Sequence, residues 1–247
     1  RSYNGKMFSD TDIAMFQKYW DNLKDYYNGR EEPGIAVVDV SGSMSGQPMA
    51  AAVAMGAYIA ERGKGPFANH FITFSGYPEL VSFDGVNIVD KFWRARSADW
   101  GMDTNIEAVF DMLLNTALQN KVIPEHVPKT IHILSDIEFN ACVSAGKPSR
   151  GQYGWHSSRP DRYLTNEGEI LTLMEEIALK WKRHGYELPR IVFWNLRAAK
   201  ENIPAMGGRF SYVSGFSMTM IEQILSGKDG MALMFEKLDT ERYSCIK

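Results

Sequence analysis

Two alternating apolar patterns organise this chain. Ile13, Phe16, Trp20, Leu23 and Tyr27 recur at three- and four-residue steps. They predict one amphipathic helix over 10–28, with Ser9 and Asp10 at its start and Asn28-Gly29 at its end. After Pro33, the run Gly34-Ile35-Ala36-Val37-Val38 is continuously apolar and closes on Asp39, the pattern of a strand buried on both faces. A Ser/Gly loop follows from Ser41 to Gln47, then an Ala-rich helix from Pro48 to Glu61, with Pro48 suited to the first helical position.

The same rhythm continues. Strands are predicted at 70–74, at 79–83 as an edge, at 130–135, at 190–194 and at 210–213. Helices are predicted at 89–96, 104–119, 167–184, 217–225 and 231–238. Strands that alternate with helices imply a parallel sheet covered on both faces. The expected fold class is therefore α/β: Rossmann-like and doubly wound, mostly parallel, with one antiparallel edge strand. The expected organisation is a helical extension at 1–33, an α/β domain at 34–226 and a helical tail at 227–247. Residues 138–166 break the rhythm as a long insertion loop, in which Lys147, Arg150, Arg159 and Arg162 interleave with Tyr153, Trp155 and Tyr163.

Composition narrows the function classes. Of 247 residues, 45% are hydrophobic and 23% charged, and 27 Lys+Arg against 30 Asp+Glu leave a net charge of −3. That is ordinary globular composition, and the slight acidity argues against a general nucleic-acid binder. Cys142 and Cys245 match no metal or redox spacing and read as free thiols in a reducing compartment, which implies a cytoplasmic location. The longest near-apolar run, Met49 to Ala60, falls short of the about 20 residues that cross a bilayer, so no membrane is expected. No signal peptide opens the chain, and a start at Arg1 reads as part of something longer.

Candidate chemistry gathers at the ends of strands. Asp39, Ser41 and Ser43 put three oxygen donors on the loop after the first buried strand. In an open α/β sheet, ligands bind beyond the carboxyl ends of the strands, near the point where strand order reverses. Thr104, at the start of a long helix, and Asp136, after the strand 130–135, should reach the same end of the sheet. Oxygen-only donors suit hard cations, above all Mg²⁺, with Mn²⁺ and Ca²⁺ as alternatives. A second reading of the loop makes Asp39 and the serines helix caps only.

Asp39-Val40-Ser41-Gly42-Ser43, Thr104 and Asp136 together resemble the von Willebrand factor A domain and its metal-ion-dependent adhesion site. The resemblance spans roughly Gly34 to Leu225. It implies that Ser41, Ser43 and Thr104 ligate the metal directly, that Asp39 and Asp136 act mostly through water, and that a protein partner supplies an acidic side chain. From Gly185 to Gly227, with Leu188 to Leu196, Gly207-Gly208 and Ser214 to Ser217, the layout is similar to the A domain of Ro RNA-binding proteins (the Ro/TROVE group). It is closer still to an uncharacterised family of large DNA viruses, phages, plants and fungi, in which a helical domain precedes the A-like domain. The helix 10–28 would then be the end of such a domain.

Enzyme motifs are weak by comparison. Gly42-Ser43-Met44-Ser45-Gly46 places Met44 where a hydrolase elbow needs Ser, and Ser41 replaces the second Asp of a phosphatase-type pair. His70, His126, His132, His156 and His184 are scattered, and His132 reads as a packed strand residue. The Met and aromatic residues of 170–181 and 231–235 read as core or docking faces. The expectation is a non-enzymatic, metal-dependent protein-interaction module. An RNA-associated module using the basic loop and a Mg²⁺-dependent phosphoester hydrolase stand as alternatives.

Overall fold

A computed structural model describes residues 2–3, 6–27, 29, 34–96, 105–136, 173–197, 202–207, 209–215, 218–227 and 230–240. A short antiparallel pair, β1 (Ser2–Tyr3) and β2 (Lys6–Met7), comes first. Strands of two residues are too short to show a period, so the apolar pattern does not predict them. Helix α1 spans Asp10–Asp21 and opens on a capping box. Ser9 Oγ accepts from the Asp12 N–H at 3.2 Å, and Asp12 Oδ2 accepts from the Ser9 N–H at 2.9 Å.

The helix stops well before the expected residue 28. Asn22 turns its side-chain amide onto the Lys18 carbonyl at 2.6 Å, satisfying an end of the helix that would otherwise stay open. The chain beyond then wraps so that Tyr26 and Tyr27 pack against Tyr58, ring centroids 5.5 and 6.5 Å away. Apolar spacing continued past the helix because those rings face the same core, by a route that is not helical.

The remaining elements are β3 (Gly34–Val38), α2 (Gln47–Arg62), β4 (His70–Thr73), β5 (Leu80–Ser82), α3 (Ile88–Arg96), α4 (Ile106–Gln119), β6 (Thr130–Ser135), α5 (Leu173–Arg183), β7 (Arg190–Asn195), β8 (Asn202–Gly207), β9 (Phe210–Ser214), α6 (Met218–Ser226) and α7 (Gly230–Leu238). One 3-10 turn, Gly42–Met44, lies between β3 and α2. The main sheet has seven strands in the order β5-β4-β3-β6-β7-β9-β8. β4, β3, β6, β7 and β9 run parallel, as the α/β reading expects. β5 is the expected antiparallel edge. A second antiparallel strand, β8, closes the opposite edge. Its Pro204 hid it from the sequence pattern: proline cannot donate to a ladder and is tolerated only at an edge or bulge, and the register shifts between Asn202 and Ala205.

Strand alternation sends side chains to two layers. Ala36, Val38, Leu134, Val192 and Trp194 face α2, α3 and α6. Ile35, Val37, Ile131, Ile133 and Ile191 face α4 and α5, where Trp181 meets Phe110 edge-on at 6.3 Å. Every residue of β3 and β6 is buried, which explains their unbroken apolar runs. Trp20 carries α1 onto the first layer against Tyr58, Phe83 and Phe92. The sheet is therefore doubly wound. The helix after β3 covers one face and the helix before β7 the other, so the chain diverges at the carboxyl ends of β3 and β6 and leaves a crevice there.

Candidate metal centre

Four of the five expected donors lie in described residues, all at this end of the sheet; Thr104 lies outside them. In β3 and β6 the parallel register pairs Val38 with Leu134, so the next residues, Asp39 and Ser135, stand level. They also share a parity, the one that faces α4 and α5. Ser135 Oγ donates to Asp39 Oδ2 at 2.7 Å in a buried hydrogen bond. Asp39 Oδ1 accepts the Ser41 N–H at 2.8 Å, bending the loop back over its own strand. Asp39 is fully buried, so its two oxygens depend on these donors for their hydrogen bonds.

The loop geometry sets the two serines together: Ser41 Oγ and Ser43 Oγ are 3.0 Å apart. Adjacent ligands of an octahedral Mg²⁺, with metal–oxygen distances of about 2.0–2.1 Å, stand about 2.9 Å apart. The pair therefore fits one edge of such a coordination shell. Asp136 follows β6 directly, is buried, and stands one residue beyond Ser135 on the neighbouring strand. Among the described residues no group of three or more His, Cys, Asp or Glu converges. Any cation here would therefore depend on hydroxyls for part of its shell, as hard-cation chemistry permits.

Neither serine acts as a helix cap. The residue before α2 is Gly46, at φ +91°, a left-handed conformation that glycine adopts without strain, and no side chain caps that helix. Ser41 precedes the 3-10 turn but makes no side-chain capping bond to it.

Three further residues shape this end of the sheet. Ser135 was visible in the sequence only through its parity with Asp39. Arg197 had no sequence signal at all, because 154 residues separate it from Ser43, whose carbonyl accepts from the Arg197 guanidinium. Asn195, level with Ser135 on β7, positions that arginine by accepting the Arg197 N–H at 3.0 Å. The basic and aromatic residues of the loop 138–166 lie outside the described residues. His132, as expected, is a buried strand residue, level with Ala36.

What the fold and site define is a doubly wound α/β domain carrying an oxygen-donor loop at the point where its strand order reverses. The chain belongs to the family described as a domain of unknown function, DUF7788, which matches residues 33–243. It is 32% identical over 234 residues to the uncharacterized protein L728 of Acanthamoeba polyphaga mimivirus. That match covers 91% of this chain and 36% of the viral protein, so the chain spans about a third of its relative's length.

Two solved structures are similar at lower levels. The Deinococcus radiodurans RO (RSR) protein gives a TM-score of 0.47 at 17% identity, covering 89% of this chain and 38% of that one. The manganese-loaded Plasmodium vivax TRAP protein gives 0.37 at 12% identity, covering 80% and 63%. At these scores neither transfers a residue role. Among the described residues no helix is long and apolar enough to cross a membrane.

Proposed function

We propose that this chain is a non-enzymatic interaction module that takes a carboxylate of a protein partner at a divalent cation held by Ser41, Ser43, Asp39 and Asp136, with Thr104 completing the donor set. The observation that carries this reading is the 3.0 Å approach of the two serine hydroxyls on a loop locked by Asp39. When bound, Mg²⁺ or Mn²⁺ supplies a concentrated positive charge whose neutral hydroxyl ligands leave room for an outside anion. The chain's own groups do the rest. Ser135 and the Ser41 N–H hold Asp39 in one orientation, and Arg197 braces the loop at the Ser43 carbonyl. The other N–H groups of that guanidinium suit a carboxylate arriving beside Ser43.

Hydrolysis with a serine nucleophile finds no histidine base among the described residues. His132 lies within β6, and His70, His126 and His184 stand at or beyond the other, amino-terminal ends of the strands. No described histidine is therefore placed as a base for either hydroxyl. The RNA reading rests on the basic and aromatic residues of the loop 138–166 and on the Ro-like layout of the sequence.

The test is thermal unfolding and calorimetric titration with MgCl₂, MnCl₂ and CaCl₂ after treatment with chelator. A cation at 100 times its dissociation constant stabilises the fold by about 2.7 kcal/mol. Wild type should show that rise and Ser43→Ala should lose it, while the two unfold alike in chelator. Equal cation responses in both, or none in wild type, would refute the proposal.

A further inference from the structure

We propose that the space between α1 and α3 is a binding site for a planar, uncharged, apolar ring molecule, separate from the oxygen-donor loop. A cavity of about 780 Å³ lies there. That is within the roughly 300–1,000 Å³ of small-molecule sites. Phe16, Tyr19 and Trp20 of α1 form one wall, and Phe92 and Trp93 of α3 form another. Trp20 and Phe92 touch edge-on at 5.8 Å, so the two walls meet in a groove, and a flat ring system lying in it gains stacked and edge-on contacts.

The polar edge of Trp20 is already engaged, since its Nε1–H donates to Glu61. The ring therefore offers carbon to the cavity. A charged or strongly polar guest would lose hydration here and regain few hydrogen bonds.

The state of α1 supports the same conclusion. Its apolar stripe is well formed, yet none of its twelve residues is fully buried. Ile13 and Trp20 pack against the first layer, while Phe16 and Tyr19 stay exposed along the groove.

The experiment titrates the whole chain with N-phenyl-1-naphthylamine, an uncharged apolar fluorophore, and competes it with phenanthrene or 1-dodecanol. Val53→Trp fills the cavity from α2, and Ala95→Met fills it from α3, so that one informative variant remains if the other fails to fold. Phe235→Glu disrupts the exposed Met231, Met234, Phe235 and Leu238 stripe of α7, the competing apolar surface.

The expected result is saturable one-to-one binding, displaced by phenanthrene in preference to dodecanol. Affinity should fall about tenfold or more in the filled variants, a change of about 1.4 kcal/mol or more, and stay unchanged in Phe235→Glu. Three results would overturn the proposal: no saturable binding, binding lost only in Phe235→Glu, or preferential displacement by dodecanol.

Discussion

Gly56 is where the packing of α2 against β3 can be tested most sharply. A methyl group added there would sit closer to Val38 Cγ2 than two carbon atoms can approach, yet at an ordinary 3.7 Å from Val38 Cβ. Val38 cannot swing away, because it is 1% exposed, β-branched and held between Thr73 and Leu134 in the sheet. Helix propensity alone predicts that Gly56→Ala stabilises by about 1 kcal/mol. Overpacking of this kind costs about 1–3 kcal/mol. The expected net effect is a loss of up to about 2 kcal/mol, where propensity alone predicts a gain.

The compensating change follows from the same distances. Val38→Ala alone removes two buried methyl groups, a loss of about 1.5–2.5 kcal/mol at about 0.8 kcal/mol per group with a cavity contribution added. In the double variant the methyl group added at position 56 enters the space that Val38 Cγ2 leaves. That variant should therefore be less destabilised than the sum of the singles by at least about 1.5 kcal/mol. Urea unfolding of the four proteins, with m-values compared to confirm two-state behaviour, measures this coupling. A higher midpoint for Gly56→Ala, or additivity within about 0.5 kcal/mol, would show the close approach to be wrong. Because the oxygen-donor loop joins β3 to α2, Gly56→Ala should also weaken the cation response, and the double variant should recover part of it.

Two further outcomes follow from buried hydrogen bonds. Ser135→Ala removes one of the two donors that hold the buried Asp39, and should cost about 1.5–3 kcal/mol of unfolding free energy in chelator, measured in urea. Burial raises the Tyr58 hydroxyl pKa above its ordinary 10.0, against the lowering effect of its bond from the Tyr26 N–H. The unfolded chain then releases this proton first, so the contribution of Tyr58 is intact below pH 10 and is lost as pH climbs toward the raised folded value. Tyr58→Phe should flatten that alkaline loss, while costing about 1–3 kcal/mol at neutral pH by removing the bond from the Tyr26 N–H and the one given to the Lys24 carbonyl; an unchanged alkaline limb would count against this account.

Local chemistry made most of the parallel sheet legible, and long-range geometry hid the rest. β3 and β6 could be found because both faces are covered, which forces every position to be apolar. The edge strand β8 could not, because an edge places no such demand and admits Pro204. The end of α1 was misplaced because Tyr26 and Tyr27 are apolar for the sake of Tyr58, a distant contact along the chain that helical spacing happens to imitate. At the candidate site, Asp39, Ser41 and Ser43 announce themselves on one loop. Arg197 reaches the Ser43 carbonyl only because β6 and β7 bring its loop there, and no local pattern encodes that meeting.

The loop itself carries the weight of the functional argument, because its hydrogen bonds separate two roles that the sequence left open. Had Asp39 and the serines served only to cap a helix, their oxygens would be turned toward the N–H groups of the first turn of α2. Instead that turn begins at Gly46 with no side-chain cap, and Asp39 engages Ser135 and the Ser41 N–H. Those bonds fix the backbone so that two hydroxyls meet each other, an arrangement that contributes little to folding, since one neutral hydroxyl contact is worth about 1 kcal/mol at most. Asp39 is fully buried and Asp136, also buried, follows the adjacent strand, so two acidic side chains border this loop. A cation seated against the serine pair would have both beside it, at the crevice where divergent helices leave room for a ligand without disturbing the core.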